Sequence, residues 1–150
     1  MTLENATILL AEDDPNDVFF IKRGFEKAHL VNPLQVVGDG EQAIEYLRGD
    51  GPYADRTQYP FPFLLLLDLR LPRKSGFEVL SWLRQQPGLK RLTTVVLTSS
   101  KEGPDINRAY DLGANSYLIK PPDAEALLNM FQRLNGYWVA LNRPPDCSAP

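Results

Sequence analysis

The chain has 150 residues, 43% of them apolar and 23% charged, with a formal net charge of −3. That length suits one domain with a real core, and the mildly acidic balance gives no electrostatic reason to expect nucleic acid or an anionic membrane as a partner. Apolar runs reach only four or five residues, far short of the roughly 20 that span a bilayer, and the N-terminus lacks a basic region followed by an apolar one, so a cytoplasmic protein is expected.

Ile8-Leu9-Leu10-Ala11 reads as a strand that stops at Glu12-Asp13-Asp14-Pro15, with Asp14 as N-cap and Pro15 at the first helical position. Val18, Ile21, Phe25 and Ala28 recur at spacings of three and four, which predicts an amphipathic helix over 15–28. Leu34–Val37 is a second strand, and Asp39 with Gln42 forms a capping-box pattern for the next helix. Residues 49–62, with two Gly and three Pro, read as a loop longer than such connections usually are.

Phe63 to Leu67 is an uninterrupted apolar run ending at Asp68, the pattern of a strand buried on both faces. Ser75 with Glu78 caps a helix through Val79, Leu80 and Leu83, and Thr94–Leu97 is a β-branched fourth strand closed by Thr98-Ser99-Ser100. Pro104-Asp105 opens a short helix that Gly113 ends, and Tyr117–Ile119 is a fifth strand running into Lys120-Pro121-Pro122. From Asp123 onward, Leu127, Phe131, Leu134, Trp138 and Leu141 form the apolar seam of a last helix. Strands alternating with helices predict an α/β fold, a doubly wound five-stranded parallel sheet with helices on both faces and an extended C-terminal helix or tail.

In such a sheet, ligands bind beyond the carboxyl ends of the strands. The strand ends deliver Glu12, Asp13, Asp68, Thr98 and Lys120 to one edge. Two carboxylates 4 Å apart repel by about 4 kcal/mol at an effective dielectric near 20, so three need a counter-charge. Mg²⁺, which takes oxygen ligands and keeps waters for a phosphate, is the natural choice. Carboxylates, Mg²⁺, an ammonium and a hydroxyl suit phosphoryl transfer, with one carboxylate as nucleophile.

The strings ILLAEDDPND, LLLLDLRLPRKSG, VVLTSS and GANSYLIKPP resemble, in order and spacing, the motifs of two-component response-regulator receiver domains, the CheY-like family with the flavodoxin-like fold. The resemblance covers residues 7–135, with 1–6 a lead and 136–150 a C-terminal extension. The loop RGDGPYADRTQYPF and the end QRLNGYWVALNRPP are similar to single-domain regulators that partner bacterial and cyanobacterial phytochrome histidine kinases. The resemblance implies Asp68 as phosphoacceptor. Glu12, Asp13, Asp68 and the backbone carbonyl of Arg70 would be Mg²⁺ ligands, Thr98 and Lys120 would bind phosphoryl oxygens, and Tyr117 would be an aromatic switch coupled to Thr98. It also implies a cis peptide between Lys120 and Pro121. Three residues depart from the usual pattern: Glu12 stands for the commoner Asp, Leu71 where Met is frequent, and Pro122 where a large apolar residue is usual.

Plainer readings stand beside these. Asp14 suits a helix start, Tyr117 could be a static half-buried aromatic, and His29 suits a helix C-terminus or the surface. Cys147, alone in a Pro-rich tail, has no disulfide partner, and one Cys with one His nearly excludes zinc. The rival functions are an aspartyl-nucleophile phosphatase, which would need an acid where Arg70 stands, a flavodoxin-like cofactor binder, and a pseudo-receiver that works without phosphorylation. The seam outruns what a plain receiver needs, leaving Trp138, Val139 and Leu141 exposed, so a homodimer built through the C-terminal helix and extension is expected. The expected output is protein–protein binding by a phosphoacceptor rather than catalysis by an enzyme.

Overall fold

Five parallel strands, β1 (Ile8–Ala11), β2 (Leu34–Val37), β3 (Leu64–Leu67), β4 (Thr93–Thr98) and β5 (Ser116–Ile119), form one sheet in the order β2-β1-β3-β4-β5. The helices between and after them are α1 (Pro15–Lys27), α2 (Gly40–Arg48), α3 (Gly76–Gln85), α4 (Gly103–Asp111) and α5 (Ala124–Leu134) in this computed structural model, which describes residues 3–147. Because successive strand residues face opposite sides, Leu64 and Leu66 enter one core while Leu65 and Leu67 enter the other. Helices α1 and α5 cover the first face, with Phe25 meeting Phe131 edge-on at a centroid distance of 4.8 Å. Helices α2, α3 and α4 cover the second.

The caps follow the sequence closely. Asp14 accepts from the Asn16 amide, and Ser75 and Glu78 make both bonds of a capping box. Asp39 accepts from the Gln42 amide, but Gln42 returns its bond to Gly38 rather than to the cap residue. Helix α1 ends with His29 in the left-handed region at φ 57, exposed at the surface. The long loop before β3 is packed rather than open. Tyr59 meets Tyr46 and Tyr53 edge to face, Tyr46 and Tyr53 lie tilted against each other, and Arg56 donates to the Leu47 and Tyr59 carbonyls.

Two expectations are corrected. Among the described residues no peptide bond is cis, so Lys120–Pro121 is trans, the isomer that X–Pro bonds ordinarily favour. Trp138 and Val139 are not free apolar groups. The last helix widens after Leu134 into a π-helical turn, Asn135–Val139, which turns both residues onto the α1/α5 core half-buried, while Leu141 stays 73% exposed. Beyond it the tail folds back beneath the strand starts. Its Asp146 carbonyl accepts from Arg91, and Cys147 rests on the opposite core, where burial raises its thiol pKa. Residues 1–2 of the lead and 148–150 of the Pro-rich tail lie outside the described residues.

Candidate phosphoryl site at the carboxyl edge of the sheet

The parallel register places the strand ends abreast. Ala11 pairs with Leu67, and the amide of Asp68 donates to the Ala11 carbonyl, so Asp68 emerges beside Glu12. On the other side the Lys120 amide donates to Thr98, aligning the ends of β4 and β5. Gly76 lets this happen at close quarters, because a Cβ there would overlap the Asp68 carbonyl oxygen.

Asp68 is buried, and each carboxylate oxygen has a donor. Oδ1 accepts from Thr98 Oγ1 at 2.9 Å and from the Arg70 amide at 3.2 Å, while Oδ2 accepts from Lys120 Nζ at 2.9 Å. Burial alone would push the carboxyl pKa up, but contacts with Glu12, Lys120 and Thr98 outweigh it and hold Asp68 below the ordinary carboxylate value. It is therefore an anion at neutral pH. Lys120 spends its other two donors on Glu12 at 2.6 Å and Asp17 at 3.0 Å, and these contacts overcome the desolvation that would lower its pKa, so the ammonium stays charged.

Glu12 is the least compensated member. It is 2% exposed, and burial first, then the neighbouring Asp68, pushes its pKa up to about 9. Glu12 Oε2 is buried with no hydrogen-bond partner among the described residues. Oxygens of Glu12, Asp13 and Asp68 lie within 4.8 Å of one another, with Asp13 at the exposed mouth. A buried acid oxygen without a donor, next to two further carboxylates, fits a hard divalent cation.

Five of the residues singled out from sequence, Glu12, Asp13, Asp68, Thr98 and Lys120, thus meet in one cluster. Tyr117 lies one contact outward, its hydroxyl donating to the Ser100 carbonyl at 3.0 Å. The Arg70 side chain turns away toward Asp105. The sequence pattern does not single out Asp17, which nevertheless joins the cluster through Lys120. It sits in the first turn of α1, where the helix start aims it at the same strand edge, and contacts with Glu12 and Lys120 lower its pKa against the effect of burial. An acid five residues after Glu12 was the available signal.

A family model described as response regulator receiver domain matches residues 8–132. The chain belongs to the response-regulator receiver family. Among curated relatives, the receiver is 36% identical over 132 residues to response regulator Rcp1 of Synechocystis sp., covering 88% of each chain. It is 38% identical to a probable methanogenesis regulatory protein, FilR2, of Methanothrix harundinacea, covering 92% of this chain and 86% of that one. Among solved structures, the phosphorylated cyanobacterial phytochrome response regulator RcpA superposes with a TM-score of 0.87 at 34% identity, covering 95% of this receiver and 99% of RcpA. The Mn²⁺-bound form of Rcp1 gives 0.83 at 35% identity, covering 93% and 99%. Receiver domains take phosphoryl groups from histidine kinases at an acidic pocket that binds Mg²⁺ or Mn²⁺, and this response regulator resembles the phytochrome-linked ones. No described helix is long and apolar enough to cross a membrane.

Proposed function

We propose that Asp68 is the phosphoacceptor of this response regulator, and the observation that carries the reading is that this buried carboxylate is held at once by Lys120, Thr98 and the Arg70 amide. The Asp68 carboxylate attacks the phosphorus of a kinase phosphohistidine. The new P–O bond forms as the P–N bond breaks, and the imidazole leaves with the electron pair and takes up a proton. Glu12, Asp13, Asp68 and the Arg70 carbonyl would hold Mg²⁺, which neutralises the crowded acids and the incoming oxygens when bound. Lys120 and Thr98 each bind a phosphoryl oxygen, and Tyr117 reports the state of Thr98 through the β4–α4 loop.

The donor is a histidine kinase of the phytochrome class, by similarity to RcpA and Rcp1. The receiver unit is residues 7–135, and 136–150 extend it. Self-association runs through the C-terminal helix and extension, supported by the groove between β5 and the last helix, which Met130, Tyr137 and Trp138 line, and by exposed Leu141. The protein signals by binding in the cytoplasm and is not an enzyme. Arg70 stands where an aspartyl phosphatase would need a second acid. With acetyl phosphate and Mg²⁺, intact-mass measurement should show one added phosphoryl group on the wild type and none on Asp68→Asn; an unmodified wild type defeats the reading.

A further inference from the structure

Outside the carboxylate cluster, one side chain ties the loop between β4 and α4 to the rim of the site. Asp105, in the first turn of α4, accepts from Ser100 Oγ at 2.6 Å and, through the same oxygen, lies 3.5 Å from Arg70 Nη2. The Ser100 hydroxyl also accepts from the Glu102 amide at 3.3 Å, and the Ser100 carbonyl accepts from the Tyr117 hydroxyl at 3.0 Å. Two residues earlier, Thr98 Oγ1 donates to Asp68. Asp105, Ser100, Tyr117 and Thr98 are therefore joined by one short segment of backbone and two hydrogen bonds, Ser100 to Asp105 and Tyr117 to Ser100.

The two contacts of Asp105 are unequal. The Arg70 side chain is 73% exposed and its nitrogen is distant, so this ion pair contributes little. The Ser100 bond is short, charge-assisted and on a residue only 8% exposed. A carboxylate in the first helical turn is also favoured by the helix dipole, and Glu102, the N-cap of α4, makes no side-chain capping bond that would compete for that role.

We infer that Asp105 is a positioning residue. By holding Ser100 it keeps the β4–α4 loop in the arrangement with Thr98 turned to Asp68 and Tyr117 seated on the Ser100 carbonyl, and so sets the fraction of unmodified receiver that is ready to accept a phosphoryl group. This rests on the reading of Asp68 as phosphoacceptor. Rates from a ready fraction scale with that fraction, so loosening the brace slows acceptance even from a small donor that needs no docking.

The test uses the full chain with acetyl phosphate and Mg²⁺, following initial phosphorylation rates together with the NMR signals of the Tyr117 ring and the Glu102 amide. Asp105→Ala and Ser100→Ala should each slow the rate roughly fivefold or more and shift both signals. The double variant should be no slower than Ser100→Ala, because both substitutions remove the bond between Ser100 and Asp105 and Ser100→Ala already gives up the Glu102 contact as well. Asp105→Asn keeps an oxygen for the Ser100 hydroxyl and should stay within about twofold of wild type. Rates of Asp105→Ala and Ser100→Ala within about twofold of wild type, with unmoved Tyr117 signals, overturn the inference. A wild type that takes no phosphoryl group defeats the Asp68 reading instead, and the Tyr117 and Glu102 signals then decide the brace alone: shifted in Asp105→Ala they uphold it, unmoved they overturn it.

Discussion

Lys120 Nζ sits 2.6 Å from Glu12 Oε1 across 108 residues of chain, yet the second oxygen of the same carboxylate is buried without a donor among the described residues. One ammonium shared by Glu12, Asp17 and Asp68 cannot neutralise all three, and the most deeply buried of them is left with a pKa of about 9. The site is electrostatically incomplete in a way that a divalent cation would complete.

That imbalance makes stability depend on pH with a definite sign. Glu12 binds its proton up to about pH 9 in the fold, against 4.5 as its ordinary value, so the folded state holds the extra proton across that window. Its contribution is fully present below the lower value and is lost as pH rises through the upper one. Asp68, held low, acts oppositely and only in acid. The melting temperature of the protein in EDTA should therefore fall from about pH 5 to about pH 9, and Glu12→Gln should flatten the trend. Mg²⁺ should stabilise increasingly over the same interval, since a cation displaces the proton. A wild-type melting temperature that stays level across the window contradicts this.

Gly76 holds Asp68 in place through space that no side chain can enter. A Cβ there would overlap the Asp68 carbonyl oxygen and approach Leu69 Cα to 2.7 Å. Gly76→Ala should cost about 2 kcal/mol or more in urea unfolding, and should slow phosphorylation because the backbone carrying the carboxylate must shift. A loss below about 0.5 kcal/mol would show that the loop yields freely.

The C-terminal extension should have two separable effects. Trp138 and Val139 pack on the α1/α5 core and Cys147 on the opposite one, so truncation before Trp138 should lower stability. If self-association runs along this helix, the same truncation should also weaken it. Sedimentation velocity distinguishes the two, and an unchanged sedimentation coefficient at matched concentration counts against the dimer.

Much of this was legible in the chain because its signals are local. Continuous apolar runs such as Leu64–Leu67 announce strands buried on both faces, and the residue after each run lands at the site edge whatever the loops do. What was hidden depends on contacts between distant segments. Asp17 joins Lys120 only once α1 is set against the sheet, and Arg84 donates to the carbonyls of Lys90, Leu92 and Gly113, which no spacing predicts. The seam from Leu127 to Leu141 fits a continued helix and a π-helical turn equally well. Only packing on the α1/α5 core turns Trp138 inward.

The phosphoryl group is expected to reside on Asp68. Trapping the phosphorylated protein with borohydride reduces an aspartyl phosphate to homoserine, which peptide mapping then locates. Homoserine is expected at position 68 and nowhere else; modification at another residue, or none in a protein exposed to donor and Mg²⁺, would mean that Asp68 does not carry the phosphoryl group.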